Sequence, residues 1–160
     1  MPSEATRGLL QFRAEQKRFE VGGVGIGGQP GVHPTVLIGT IFYHGEKIIT
    51  DESSGEFDRE AAEKLIRAKE ELIEKTGNPG MLDVVGSTPE ALVLHLEYAA
   101  SVTDMPLLID GTTTEVRLAG VEYAAKAGIA DRVIYNSLQP GVDDAELKTV
   151  ADAGIKAALI

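Results

Sequence analysis

Apolar residues along this chain fall into short runs that alternate with longer amphipathic stretches. Phe19-Glu20-Val21 and Val24-Gly25-Ile26 flank Gly22-Gly23, a pair suited to the positive φ angles of a two-residue hairpin turn. Residues 11–28 are therefore expected to hold a small hairpin. Gly28 to Gly31 separates it from Thr35-Val36-Leu37-Ile38-Gly39-Thr40-Ile41, an apolar run of strand length with the pattern of a strand buried on both faces. The stretch from Tyr43 to Phe57 is polar and reads as a loop.

Asp58 to Thr76 predicts a helix. Ala61, Ala62, Leu65, Ile66, Leu72 and Ile73 form one stripe at helical period. Glu60-Lys64, Glu63-Arg67 and Glu71-Lys75 are i,i+4 pairs in the favourable order, and Gly77 supplies the stop. Further strands are expected near Met81, Leu107, Val133 and Ala157, at a spacing of about 25 residues that suits a βα repeat. Ser87, Thr112 and Asp143 each precede a Glu by three positions, which marks three helix starts. Val116, Ala119, Tyr123, Ala124 and Ala127 give the third helix its stripe, and Gly128 and Gly154 end the last two helices.

The pattern is a hairpin followed by β-α-β-α-β-α-β-α-β. Its expected organisation is an N-terminal segment with a β-hairpin over 1–28 and an α/β unit over 29–160. Ala157-Ala158-Leu159-Ile160 reads as a fifth strand without its covering helix. A parallel strand wants both faces covered, so the pattern predicts the N-terminal half of a TIM-type (βα)8 barrel, cut at 160. The alternative is a five-stranded doubly wound sheet of the flavodoxin-like kind. Open edges at the first and fifth strands predict pairing with a second copy, as a homodimer.

Composition narrows the function classes. A formal net charge of −10 in 160 residues argues against nucleic acid or an anionic membrane as the main partner. No apolar run approaches the roughly 18 residues of a membrane span. The chain has no cysteine, which excludes disulfides, Cys-ligated zinc and iron–sulfur clusters within it. The three histidines (His33, His44 and His95) lack ligand spacing, so no metal site is expected. No phosphate-binding glycine loop and no nucleophile elbow appears.

Candidate chemistry lies where polar residues leave apolar runs, the end of a parallel strand at which α/β proteins bind ligands. Asp110 closes Leu107-Leu108-Ile109. It could accept two parallel hydrogen bonds from a guanidine-like edge, or could bond turn amides and cap the next helix. Asn136, after Val133-Ile134-Tyr135, can donate and accept on a heterocycle edge, or simply tolerate an awkward turn. Asp83 could line the same mouth or be a structural acid held by backbone amides. His44, just beyond the first long strand, is a ligand-contacting candidate or an ordinary loop histidine.

Seven segments in order carry a resemblance. They are Phe19-Glu20-Val21-Gly22-Gly23, Gly27-Gly28-Gln29-Pro30-Gly31, Thr35-Val36-Leu37-Ile38-Gly39, Ile41-Phe42-Tyr43-His44-Gly45, Met81-Leu82-Asp83-Val84-Val85-Gly86, Leu108-Ile109-Asp110-Gly111-Thr112 and Tyr135-Asn136-Ser137. Together they resemble the MtrH family of tetrahydromethanopterin S-methyltransferase subunits, from about Phe19 to Ile160. The resemblance implies a pterin-binding methyltransferase barrel in which an Asp and an Asn at successive strand ends hold the pterin. Asp110 and Asn136 match those two positions, with Asp83 and His44 as further pterin-site candidates. Family members are about twice this length, so the residue acting nearest N5 is expected outside this chain.

The implied activity, in methanogenesis and one-carbon metabolism, moves the N5 methyl group of methyl-tetrahydromethanopterin to cob(I)amide. The corrinoid would sit on a partner subunit of a membrane-associated complex, with this chain cytoplasmic or peripheral on that complex's cytoplasmic side. A tetrahydrofolate-dependent corrinoid methyltransferase and an inert pterin-binding assembly module are the alternatives. An aldolase-type barrel would want a strand-end lysine, and no predicted strand ends in one.

Overall fold

The computed structural model describes residues 11–160. The first ten positions of the expected N-terminal segment lie outside them. Strands β1 (Arg18–Val21) and β2 (Val24–Gly27) pair antiparallel across Gly22-Gly23. Both glycines have positive φ, 51° and 80°, which the primed two-residue turn demands.

The main sheet is parallel. It contains β3 (Leu37–Ile41), β6 (Gly80–Gly86), β7 (Leu107–Gly111) and β8 (Val133–Tyr135), side by side in chain order. The helices α1 (Arg59–Thr76), α2 (Pro89–Val102) and α3 (Thr114–Ala127) make the three crossovers, and α4 (Asp144–Asp152) follows β8. The polar stretch after β3 contains two short strands, β4 (Ile49–Asp51) and β5 (Glu56–Phe57), paired as a second hairpin.

Period-two alternation sorts the strand residues onto two faces. Leu82, Val84, Leu107, Ile109, Val133 and Tyr135 pack with Ala62 and Ile66 of α1, Leu92 and Leu96 of α2, Val116 and Val121 of α3 and Val150 of α4 in one large core. Met81, Leu108 and Ile134 point the other way, into a small cluster with Val21, and Val24 and Ile26 of the N-terminal hairpin pack against it. All four helices thus share one face, and the hairpin covers part of the opposite one. A doubly wound sheet places helices on both faces, so this arrangement departs from that alternative.

Helix α1 has its expected bounds. Asp58 caps it by accepting from the Ala61 amide at 3.0 Å, and Gly77 at φ 72° ends it. Glu60-Lys64 and Glu63-Arg67 form ion pairs, whereas Glu71-Lys75 is not among the ion pairs of the described residues. Only Ala62 and Ile66 of its stripe are fully buried, and Leu65 and Leu72 are exposed.

The starts of α2 and α3 are shifted by one residue from those expected. Thr88 and Thr113, not Ser87 and Thr112, accept from the amides three positions on. Asp143 caps α4 as predicted. Strand β3 also differs from its pattern. Its only neighbour in the described sheet is β6, and Leu37 and Ile38 are 44% and 47% exposed rather than buried on both faces. The expected fifth strand is reduced to a parallel bridge between Tyr135 and Ala158, extended by the Leu138 amide bonding the Leu159 carbonyl.

Candidate functional site

The same alternation that buries Met81, Leu108 and Ile134 places Asp83, Asp110 and Asn136 two residues further on, at the C-terminal ends of β6, β7 and β8. All three lie on the sheet face opposite the helices. Thr40 of β3, in register with Asp83, completes the row. Polar groups here leave the apolar lower layer without entering the helix-side core.

Asp83 is buried and fully engaged. Its Oδ2 accepts from the Thr40 hydroxyl at 3.1 Å and its Oδ1 from the Asn136 amide at 3.0 Å. Side chains, rather than the backbone amides expected, hold this acid. An ionised carboxylate only accepts, so it turns the NH2 of Asn136 toward itself and leaves Asn136 Oδ1 facing away. That oxygen takes the Ser137 hydroxyl at 2.7 Å and keeps a second lone pair.

Asp110 is different. Its Oδ1 accepts from the Gly111 amide at 2.7 Å, and its Oδ2 has no hydrogen-bond partner among the described residues. The next helix is capped by Thr113, whose side chain accepts from Val116, so Asp110 is not the cap. Partial burial, and then the Asp83 charge, push the Asp110 carboxyl above its ordinary value, against the pull of the Gly111 amide and Arg117. The result is a half-buried carboxylate with one committed oxygen and one open one.

His44 is not brought to this cluster. It lies in the loop after β3, exposed, with Nδ1 2.7 Å from Glu52 Oε2. The Gly45 amide, and then His44, draw the Glu52 carboxyl below its ordinary value. His44 lines a neighbouring cavity with Phe42, Tyr43, Ile49, Ser87 and Thr112, and Thr112 links that cavity to the turn after Asp110. The β4–β5 hairpin forms the cavity's outer wall. It is pinned by Ser87 Oγ donating to the Glu52 carbonyl, Thr88 Oγ1 to the Ser53 carbonyl, and the His95 ring against the Gly55 carbonyl.

Behind Asp110 lies a buried polar network that the sequence pattern did not reveal. Arg117 donates to the Gly111 carbonyl at 3.0 Å, to the Tyr135 hydroxyl at 3.0 Å and to Thr114 Oγ1 at 3.2 Å, and it pairs with Glu146 at 3.5 Å. Tyr135 donates to Glu146 at 2.5 Å, and burial with that bond pushes its hydroxyl up to about 12. The one sequence signal was an arginine inside the apolar stripe of α3, between Val116 and Gly120. Among the described residues, no three acidic or histidine side chains gather as a metal ion would require, and no helix is long and apolar enough to cross a membrane.

Known proteins share this sequence pattern. The family described as tetrahydromethanopterin S-methyltransferase MtrH subunit matches residues 14–160. The H subunit of tetrahydromethanopterin S-methyltransferase from Methanopyrus kandleri is 47% identical over 146 residues, 91% of this chain and 45% of the relative. That of Methanothermobacter thermautotrophicus is 46% identical over 152 residues, 95% of this chain and 49% of the relative. That of Methanocaldococcus jannaschii is 43% identical, with 95% and 48% covered. The chain thus spans about half the length of the relatives it matches.

Proposed function

This chain belongs to the tetrahydromethanopterin S-methyltransferase MtrH subunit family, and from that premise we propose that it is the pterin-holding half of a methyltransferase (βα)8 barrel. The substrate in this reading is methyl-tetrahydromethanopterin, and the chain works within a complex whose corrinoid-bearing subunit is its partner. The parallel sheet in unbroken chain order, with every helix on one face, supports the barrel.

The observation that carries the reading is the open Oδ2 of Asp110. A pterin presents a ring N–H and an exocyclic NH2 side by side, and a carboxylate satisfies such an edge with two parallel bonds. Burial and Asp83 hold Asp110 in a poorly solvated state. Donors from a ligand relieve that state more than they would relieve a solvated carboxylate. Asn136, its amide oriented by Asp83, offers an outward-facing acceptor one strand away. His44 contributes from the adjoining cavity to the part of the substrate that extends beyond the ring.

Methyl transfer breaks the N5–methyl bond with its electron pair remaining on N5. A tertiary amine is a poor leaving group, so N5 must gain a proton or a hydrogen bond as the bond breaks. The corrinoid supplies the nucleophile that takes up the methyl group. Asp110 and Asn136 orient the ring, a contribution of position and electrostatics rather than of covalent chemistry. The group that serves N5 belongs to the part of the relatives' length that this chain does not span.

Calorimetric titration with tetrahydromethanopterin and with tetrahydrofolate, repeated on Asp110→Ala and Asn136→Ala, tests this. The expected result is binding that each substitution weakens by about 1–3 kcal/mol, with the methanopterin carrier bound more tightly. Tighter binding of tetrahydrofolate would reassign the carrier. Absence of binding by the folded chain would make it an assembly module.

A further inference from the structure

The Asp110 carboxylate rests on the turn from β7 into α3, and that turn has a second anchor besides its helix cap. Gly111, whose amide holds Asp110 Oδ1, has its carbonyl gripped by the guanidinium of Arg117. The Arg117 stem also fills the space under Gly111. A Cβ built there would stand 2.6 Å from Val116 Cγ1 and 3.3 Å from Arg117 Cγ, so only glycine lets the helix approach this closely. Arg117 is itself buried, fixed from β8 by Tyr135 and from α4 by Glu146. Thr114 bonds both Arg117 and Glu146. Three elements therefore converge to hold one guanidinium directly behind the candidate ligand-binding acid.

A charged group this deep is retained at a cost in desolvation, and a core of apolar residues would be at least as stable. Stability alone therefore gives no reason for an arginine here. We propose that Arg117 is the positioning residue of the Asp110 site: clamped by Tyr135 and Glu146, it grips the Gly111 carbonyl and so fixes the turn whose amide carries the Asp110 carboxylate.

The placement has an electrostatic consequence. The charged groups facing Asp110 are Asp83 from β6 and Arg117 from α3, and those facing Arg117 are Tyr135 from β8 and Glu146 from α4. Arg117 is thus the positive charge that opposes Asp83 at the site. It favours the ionised, acceptor form of Asp110 that a ligand N–H pair requires. The inference deepens the pterin-site reading and rests on it, and its test has one arm that needs no pterin.

In that arm the Asp110 carboxyl is titrated by carbon NMR in the 160-residue chain, its signal assigned by loss in Asp110→Asn. Arg117→Gln moves the midpoint to higher pH, and Arg117→Lys, which keeps the charge, leaves it in place. In the second arm tetrahydromethanopterin binding is measured across pH. Arg117→Gln shifts the acid limb upward together with the carboxyl midpoint. Arg117→Lys loses the planar fork and weakens binding about fivefold or more at every pH.

A merely structural arginine would lower stability and leave the Asp110 midpoint unmoved. That result in Arg117→Gln overturns the inference. Should Arg117→Gln not fold, unchanged affinity in Arg117→Lys overturns it instead. A shifted midpoint in a chain that binds no pterin upholds the positioning of Asp110 and overturns the pterin reading alone.

Discussion

Asn136 donates its side-chain amide to the Asp83 carboxylate at 3.0 Å, although β7 runs between their strands. The bond crosses the sheet face opposite the helices and fixes which end of the Asn136 amide faces outward. Asp83 is thereby a support for Asn136, and Thr40 supports Asp83 in turn. Substituting Asp83→Ala frees Asn136 to rotate and leaves the Thr40 hydroxyl without this acceptor. Pterin affinity should fall by about 1–3 kcal/mol even though Asp83 need not touch the ligand. Calorimetric titration checks this, and an unchanged dissociation constant would separate Asp83 from the site.

Asp110 should show opposite effects on folding and on binding. Its folded pKa is raised, so the folded chain holds this proton more tightly than the unfolded chain. The stability it contributes is present below the unfolded pKa and is lost as pH rises through the folded value. At neutral pH the ionised group is a net liability. Asp110→Asn is therefore expected to raise the melting temperature at neutral pH while lowering pterin affinity. A structural cap would behave in the reverse way, since its removal destabilises.

His95 links the outer hairpin to the sheet and makes stability depend on pH. Its ring stacks on Phe42 with centroids 4.2 Å apart, Nδ1 lies 2.7 Å from the Val85 carbonyl and Nε2 lies 2.9 Å from the Gly55 carbonyl. Burial pushes its pKa below 6.5, and the two carbonyls oppose that shift. The folded pKa is then below the unfolded one, so the unfolded chain takes up this proton first as pH falls. Stability should be full above about pH 6.5 and decline below it. Urea denaturation at about pH 7.5 and about pH 5.5 should show the loss, and His95→Gln should flatten it.

Gly86, at the end of β6, is held to glycine by packing rather than by its φ angle. A Cβ there would meet Leu92 Cβ at 2.4 Å and Leu92 Cα at 2.5 Å, atoms fixed by the first turn of α2. Gly86→Ala should cost about 1–3 kcal/mol of stability, read from the denaturation midpoint. An unchanged midpoint would mean that α2 is free to move away from the strand.

Particular residues show how far the sequence was legible. Asp58 and Gly77 bound α1 as expected because cap and stop act locally, within one turn of backbone. The caps of α2 and α3 were misplaced by one residue because each lies in a run of adjacent Ser and Thr. Tertiary contacts chose between them, and Ser87 is taken by the Glu52 carbonyl. The β4–β5 hairpin, with strands of three and two residues, is too short to show a period. Leu65 and Leu72 fit the helical stripe and are still exposed, since period fixes a direction and not what lies there. Asp83, Asp110 and Asn136 were legible by position, as polar residues ending apolar runs. Their bonds were not, because Thr40 and Asn136 meet Asp83 only once parallel pairing sets the register. Arg117 and Glu146 were missed because charges on amphipathic helices ordinarily face water.

The most direct test of the account is a crystal structure of this chain with tetrahydromethanopterin. The account predicts the pyrimidine edge of the pterin within about 3 Å of Asp110 Oδ2, with Asn136 accepting from the same ring system. A pterin seated instead in the cavity lined by Phe42, Tyr43 and Ser87, with Asp110 untouched, would contradict it.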